Sequence, residues 1–227
     1  MSPRLVVKLN KDFDKAICDE FLNRSEAGVD FGVGIVKIHP KLLPAQKALE
    51  KQFPIKKIDK YFDAYYKTND EELQESVKKA QTDWDKISEK FYKACDKYFD
   101  KHFWPKGKYE AYLSIIDCNP RFLHNKTFQV FWKHKKGFVF MAMHEMLHFL
   151  FFDLVEKLFP NININTQKMW EISEVFNGLI MQESEFVEIT GVRDPGQYPD
   201  LIKLQKGFEA VWKKRKKANE FLAITLS

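Results

Sequence analysis

Cysteine, glycine and proline are all scarce in this sequence. The three cysteines, Cys18, Cys95 and Cys118, are widely spaced and form no C-x-x-C arrangement, which excludes a disulfide scaffold and indicates reduced thiols. Nine glycines and nine prolines among 227 residues exclude a low-complexity chain. The remaining composition, 44% hydrophobic and 30% charged, is typical of a helix-rich globular protein.

The sequence also lacks a dominant charge sign and a second long apolar run. Its 37 basic and 32 acidic residues are interleaved, so nucleic-acid binding is not expected from charge. The one long apolar run, 137–152, carries charged and imidazole side chains at its centre and is shorter than the roughly 20 residues that a bilayer core requires. No run near the N-terminus is long enough for a signal peptide. We therefore expect a cytoplasmic protein without membrane association, in which 137–152 forms a buried helix.

Hydrophobic periodicity and turn residues predict an α+β fold, helix-rich with a small mixed sheet. Strands are expected at 4–9, 109–117 and 126–132, and the turn-rich stretch 28–40 is a further strand candidate. Helices are expected at 12–22, 43–53, 58–66, 70–102, 137–158, from about 166, and at 201–222, with a loop at 191–200. We predict a single domain, 1–227, with an N-terminal lobe (1–68), a core (69–190) and a C-terminal loop and helix (191–227).

The apolar run contains two histidines and a glutamate at a spacing that suits metal chemistry. His144 and His148 are four residues apart, so on a helix they lie one turn apart on the same face, where both imidazoles can reach one ion. Glu145 can stand beside that ion without binding it. This is the H-E-x-x-H arrangement of two zinc ligands and a glutamate general base.

The surroundings of this motif are apolar or small from Phe138 to Met143, and again at Met146, Leu147, Phe149 and Leu150. Burying two imidazoles and a carboxylate there costs several kcal/mol unless something compensates, and a divalent ion does so. The alternative is that both histidines are core residues bonded to the backbone, with Glu145 at the surface.

A catalytic zinc ion usually has three protein ligands, and the downstream helix offers Glu171 and Glu174. On a helical wheel Glu171 falls opposite the buried face, whereas Glu174 shares a stripe with Trp170 and Asn177 beside that face. Glu174 is therefore the preferred third ligand, and Glu171 is expected to be solvated. The alternative for Glu174 is a carboxylate at the boundary of the core.

The segments AMHEMLHFL and WEISEV together resemble the gluzincin branch of the zincin metallopeptidases, although Trp170 and Glu174 are one residue further apart than in the W-x-x-E pattern. The resemblance implies a zincin-like fold, with 70–102 as the long backing helix and 126–132 as the edge strand beside the cleft. The G-x-M-E-N segment with which aminopeptidases of that type hold a free amino group is missing from the sequence.

These features predict a zinc-dependent peptidase, an endopeptidase, that acts on peptide or protein substrates. Glu145 is the expected general base, and Tyr198 or His124 could donate a second hydrogen bond to the oxyanion. Asn177, one turn after Glu174, could orient a ligand. The strand at 126–132 could bind an extended peptide by adding it to the sheet.

Two other functions stay open at this stage. The same ion could be held without catalysis, in a zinc-binding or interaction protein of the same fold. The run KKRKK at 213–217 could bind nucleic acid or another anionic partner, although Glu209 and Glu220 flank it and a solvated helix face is the usual meaning of such a run.

Overall fold

The computed structural model describes residues 2–47, 55–194 and 196–226. The chain forms two compact units. The sheet unit comprises Leu5–Thr82 and Tyr109–Phe138, and the helical unit comprises Met1–Arg4, Asp83–Lys108 and Val139–Ser227. Because the units alternate along the sequence, they do not correspond to consecutive lobes, and the division at 68 and 190 stays a prediction.

The sheet unit contains six strands and four helices in its described part, and it shares α5 with the helical unit. In chain order its elements are β1 (Leu5–Leu9), α1 (Lys11–Phe21), β2 (Ser25–Glu26), β3 (Val29–Asp30), α2 (Phe31–Ile38), α3 (Leu43–Lys47), α4 (Ile55–Thr68), α5 (Asp70–Tyr98), β4 (Tyr109–Ser114), β5 (Arg121–Phe122) and β6 (Thr127–Phe131). The helical unit continues with α6 (Gly137–Leu158), α7 (Gln167–Ile180), α8 (Ser184–Thr190), α9 (Ile202–Arg215) and α10 (Ala218–Thr225).

The main sheet has four strands in the order β1-β4-β6-β5. Strands β1, β4 and β6 are parallel, and β5 is antiparallel to β6. The predicted α+β class with many helices and a small mixed sheet is therefore confirmed. The long helix predicted at 70–102 is present as α5, which ends at Tyr98.

The prediction that 126–132 is an edge strand is wrong. Strand β6 lies between β4 and β5, and all five of its residues are buried. Beyond the two residues paired with β5, the backbone of β6 is still hydrogen-bonded on that side. Gln129 N donates to Pro120 O at 2.9 Å, and Phe131 N donates to Asn119 Oδ1 at 2.9 Å. A substrate peptide could not add to this strand without displacing the 119–122 segment.

The outer edge of β1 is bonded as well, by a side chain. Gln81 on α5 accepts a hydrogen bond from Val7 N at 2.8 Å through Oε1 and donates to Leu5 O at 3.2 Å through Nε2. The side-chain amide thus takes the place of a neighbouring strand. Covering an edge in this way guards against pairing with another chain.

Three further predicted elements differ from the structure. The stretch 28–40 contains the two-residue strand β3, in agreement with the strand candidate, but most of it is helix α2, which the Asp30 side chain caps by accepting from Val33 N at 3.0 Å. Of the helix predicted at 43–53, α3 covers residues as far as Lys47, and 48–53 lie outside the described residues. The helix predicted at 201–222 is divided into α9 and α10 at Lys216, whose φ is 51°.

Residues 137–152 of helix α6 are apolar or small on every side apart from His144, Glu145 and His148, which is typical of a buried helix. It is long and apolar enough to cross a membrane by length and composition, but 78% of its most apolar 18-residue window is buried inside the protein. Gly137, at φ +80°, forms its first residue in a left-handed conformation that glycine adopts without strain.

Phe176 on α7 is the aromatic centre of the helical unit. Its ring lies 5.2 Å from Phe151 on α6 and 5.6 Å from Phe99, just after α5. It also lies 5.4 Å from Trp212 on α9 and 5.3 Å from Phe221 on α10. Aromatic contacts of this kind contribute beyond the area they bury, so this one side chain packs α7 against four neighbouring segments.

The sheet unit buries a carboxylate, Asp14 on α1, which is completely inaccessible to solvent. Its oxygens accept from Tyr66 Oη at 2.6 Å, Ile115 N at 3.0 Å and Gln129 Nε2 at 2.9 Å, and the Ser114 side chain also bonds to it. Burial raises the pKa of Asp14 to about 6, although the four hydrogen bonds act in the opposite direction. This carboxyl group joins α1 to α4, β4 and β6.

The raised pKa of Asp14 predicts a pH-dependent stability. The folded protein binds this proton more tightly than the unfolded chain, whose Asp pKa is near 3.8, so the contribution is present below about pH 4 and is lost as the pH rises through 6. The free energy of unfolding should fall by roughly 3 kcal/mol over that range. Denaturant titrations of the wild type and Asp14→Asn at several pH values measure the difference, and parallel profiles would contradict it.

Candidate metal centre

Helix α6 presents the two histidines of the H-E-x-x-H motif on one face. The rings of His144 and His148 lie 4.8 Å apart between centroids. The His148 side chain is fully buried, whereas that of His144 is 18% exposed. Glu145 is 2% exposed. The alternative in which both histidines are ordinary core residues places Glu145 at the surface, and the burial of Glu145 does not agree with it.

Helix α7 supplies the carboxylate. It begins after Thr166, whose side chain caps it by accepting from Met169 N at 3.3 Å. Trp170, Glu174 and Gly178 follow at intervals of four residues and so share one stripe of the helix. The Glu174 side chain is only 5% exposed.

The three side chains converge on a small triangle. His144 Nε2 lies 3.2 Å from His148 Nε2 and 3.2 Å from Glu174 Oε2, and His148 Nε2 lies 3.3 Å from Glu174 Oε1. All the potential ligand atoms lie within 4.8 Å of one another. The sequence-based choice of these three residues as neighbours thus agrees with their positions.

Hydrogen bonds alone cannot satisfy this triangle. The Nε2 atom of a neutral imidazole carries either one hydrogen or one lone pair. If both imidazoles donate to Glu174, their Nε2 atoms oppose each other as two donors at 3.2 Å. If one of them presents a lone pair instead, that lone pair faces the carboxylate. At most two of the three contacts are therefore favourable as hydrogen bonds.

The spacings within this group suit the coordination of one zinc ion. Zinc binds histidine nitrogen and carboxylate oxygen at about 2.0–2.1 Å in a tetrahedron, which places neighbouring ligand atoms about 3.3 Å apart. The two imidazole nitrogens lie 3.2 Å apart, and the Glu174 carboxylate turns Oε2 to His144 at 3.2 Å and Oε1 to His148 at 3.3 Å. A central cation would accept lone pairs from all three groups and remove the conflict between the imidazoles.

The second glutamate on α7 is not part of the group. Glu171 is half-buried, and its Oε1 accepts from Gln167 Nε2 at 3.3 Å. Glu174 thus lies next to the two histidines, the choice of Glu174 as third ligand stays a prediction, and Glu171 is less solvated than predicted.

The loop after α8 lies along the stripe of α7 that carries Glu174. The Tyr198 ring contacts Trp170 edge-on at 5.2 Å, and Gln197 Nε2 donates to Glu174 O at 3.4 Å. A Cβ atom at Gly178 would stand 3.2 Å from Gln197 Nε2, so a glycine there lets the loop approach. Sequence reasoning did not single out Gln197 or Gly178.

Asn177 is fully buried and contacts α6. Its Nδ2 donates to the backbone carbonyl oxygen of His144 at 2.8 Å, not to a ligand side chain. Asn177 was predicted to orient a metal ligand. In the structure it bonds to the backbone of the candidate ligand His144, and not to the imidazole. The other predicted oxyanion donor, His124, lies in the exposed turn between β5 and β6.

The basic run at 213–217 is largely neutralised within the protein. Four of its five cations pair with carboxylates: Lys213 with Glu209 at 3.3 Å, Arg215 with Glu220 at 3.6 Å, Lys216 with Glu183 at 2.9 Å, and Lys217 with Asp100. This pairing favours the interpretation of the run as a solvated helix face.

Comparison with known proteins adds no family to these observations. No protein-family model, no curated protein and no solved structure matches the chain.

If the triangle holds a metal ion, removing Glu174 should abolish the stabilisation that the ion provides. Zinc at a free concentration of 100 times its dissociation constant should stabilise the wild type by about 2.7 kcal/mol. Glu174→Ala should show almost no such response, whereas Glu171→Ala, on the same helix, should respond like the wild type. Thermal unfolding of metal-stripped protein with and without zinc makes the measurement, and equal responses in both variants would contradict the assignment.

Proposed function

We propose that this chain is a zinc-dependent peptidase in which His144, His148 and Glu174 hold the ion and Glu145 is the general base. The observation that carries the proposal is the convergence of two imidazole nitrogens, 3.2 Å apart, on the Glu174 carboxylate, whose two oxygens lie 3.2 and 3.3 Å from them. Helix α6, which supplies both histidines, also carries a buried glutamate next to His144. The order of an H-E-x-x-H helix and a later glutamate helix supports a zincin-like fold of the gluzincin type.

Zinc bound at this site would act as a Lewis acid on a water molecule and on the substrate carbonyl. The imidazoles of His144 and His148 would contribute neutral nitrogen ligands, and the Glu174 carboxylate would contribute one negative charge. A site with three protein ligands leaves a fourth position for chemistry, whereas structural zinc sites have four. The ligand count therefore favours catalysis over a purely structural role.

Glu145 is the proposed general base. It follows His144 directly and is 2% exposed, so its carboxylate acts in a poorly hydrated environment where electrostatic interactions are strong. In the proposed reaction it accepts a proton from the attacking water and then gives that proton to the leaving amine.

Tyr198 is the proposed donor to the oxyanion. Its ring is held against Trp170, one helical turn before Glu174, which places the residue on the glutamate side of the site. Its half-buried side chain could approach a substrate bound there, and the neighbouring Gln197–Glu174 contact fixes the loop that carries it.

The burial of the site limits the form of the substrate. His144, at 18% exposed, is the most accessible of the three ligand side chains, so a peptide would approach on the side of His144. An extended, unfolded segment suits so narrow an access better than a folded surface. The missing G-x-M-E-N segment favours an endopeptidase, and the three unlinked, buried thiols favour action in the cytoplasm.

The competing proposal is a zinc-binding or interaction protein without catalysis, and Glu145→Gln separates the two. The substitution leaves the three ligands in place, so zinc content should match the wild type. Cleavage of a quenched fluorescent peptide library of mixed sequence should fall by roughly 100- to 10,000-fold, because general-base catalysis contributes on the order of 10²–10⁴. Full cleavage by this variant, or none by the wild type, would argue against the peptidase.

Metal analysis accompanies that experiment. Two histidines and one carboxylate are also the ligand set of non-haem iron(II) sites, so zinc and iron are both measured in protein purified without added metal. Stoichiometric zinc in the wild type and in Glu145→Gln supports the proposal. Iron in its place would point to an oxygen-dependent reaction.

Tyr198→Phe tests the second role. The variant keeps the aromatic contact with Trp170 and removes only the hydroxyl group. Loss of one oxyanion donor costs about 10²–10³ in kcat, so kcat for a cleaved peptide should fall by that factor while KM and zinc content stay close to wild type. Unchanged kcat would remove Tyr198 from the reaction, and Tyr198→Ala would then report whether the ring itself matters.

A further inference from the structure

Asn177 forms a hydrogen bond between the two helices that carry the proposed zinc ligands. It lies on α7, one turn after Glu174, and its Nδ2 donates to His144 O on α6 at 2.8 Å. Within an α-helix that carbonyl oxygen also accepts the N–H of the residue four positions later, which here is His148. The Asn177 amide therefore bonds to the same carbonyl oxygen that accepts the helical hydrogen bond from His148 N.

Burying this side-chain amide between two helices costs free energy of folding. The Asn177 side chain is completely inaccessible to solvent, and its Oδ1 has no hydrogen-bond partner among the described residues. A buried polar atom without a partner destabilises a protein, and an apolar side chain of similar size often packs at lower cost. Stability alone does not account for an asparagine at this position.

Aromatic packing holds α7 in place but does not define its position finely. The contact between Phe176 and Phe151, at 5.2 Å, is a hydrophobic one and tolerates small sliding movements. A hydrogen bond is directional and restricts both distance and angle. A zinc site requires ligand atoms within about 0.2 Å of ideal positions, so the directional contact is the one that suits this demand.

We propose that Asn177 is a positioning residue that sets the register of α7 on α6, so that the Glu174 carboxylate meets both imidazoles. This inference rests on the proposed zinc site. Asn177 itself binds neither metal nor substrate, and it acts on Glu174 through α7 and on His144 through the backbone. Buried polar groups with a role in register are known from other helical assemblies.

The test measures zinc affinity and stability separately in Asn177→Leu and Asn177→Ala. Zinc dissociation constants are obtained by competition with a chromophoric chelator, and unfolding midpoints of the metal-free proteins by denaturant titration. We expect a dissociation constant 10- to 100-fold higher than that of the wild type. The metal-free midpoint of Asn177→Leu should be equal to or above that of the wild type, because the variant removes the buried Oδ1.

Ser173→Ala is the matched control. Ser173 is also buried on α7, next to Glu174, but its Oγ donates to Trp170 O within the same helix at 2.7 Å. The substitution therefore removes a buried polar group and a bond within α7, while it keeps the bond from Asn177 to His144 O. Its zinc dissociation constant should stay within about twofold of the wild type. The bond from Asn177 to His144 O is kept in this variant, so the positions of the ligands should not change.

Cobalt(II) substitution provides a second readout of geometry. Its visible absorption spectrum depends on coordination number and symmetry, so the band intensity should change in the Asn177 variants and stay unchanged in Ser173→Ala. A purely structural role of Asn177 would lower the unfolding midpoint and leave affinity and spectrum as they were.

The outcomes separate the two proposals. If the wild type binds no metal, the proposed function itself fails. If the wild type binds zinc and both Asn177 variants bind it within threefold of the same affinity, the zinc site stands and the positioning role is overturned. Loss of the metal-free fold in both variants would also overturn it, because Asn177 would then be a residue required for stability.

Discussion

The packing of α7 on α6 is the constraint on which the candidate site depends. Two contacts define it: the Phe176 ring against Phe151 at 5.2 Å, and the Asn177 amide on the His144 carbonyl oxygen at 2.8 Å. Glu174 lies one helical turn before Asn177 on α7, so these contacts also determine where its backbone lies relative to α6. The two imidazoles, one turn apart on α6, need no long-range interaction to face the same point.

The histidine pair was predictable from the sequence because its geometry is local. Four-residue spacing on a helix determines the separation of His144 and His148, and the apolar flanks indicate burial. The choice of Glu174 over Glu171 was also predictable, because the helical wheel depends only on the periodicity of α7. The bond from Asn177 to a backbone atom on α6 could not be predicted, since it depends on how two helices meet.

The errors in the fold have a common physical origin. Strand β6 was expected at an edge, but strand order depends on pairings between distant segments, and the short antiparallel β5 at 121–122 carries too weak a sequence pattern to be recognised. Within 28–40 the strand is limited to the two residues of β3, and helix α2 follows it with Asp30 as its cap. The charges at 213–217 find acidic partners as distant in sequence as Glu183 and Asp100, which no local pattern indicates.

Two groups of buried polar side chains, one around Asp14 and one around His148 and Glu174, meet the need for partners in different ways. In the sheet unit, Asp14 is an acceptor surrounded by donors, and Tyr66, Ile115 and Gln129 satisfy it with hydrogen bonds of 2.6–3.0 Å. In the helical unit, two imidazole nitrogens and a carboxylate face one another, and with neutral imidazoles and an ionised carboxylate at most two of the three contacts are favourable. The cation that we propose would resolve that conflict. The contrast explains why a metal site is proposed for the second group and not for the first, although both are buried.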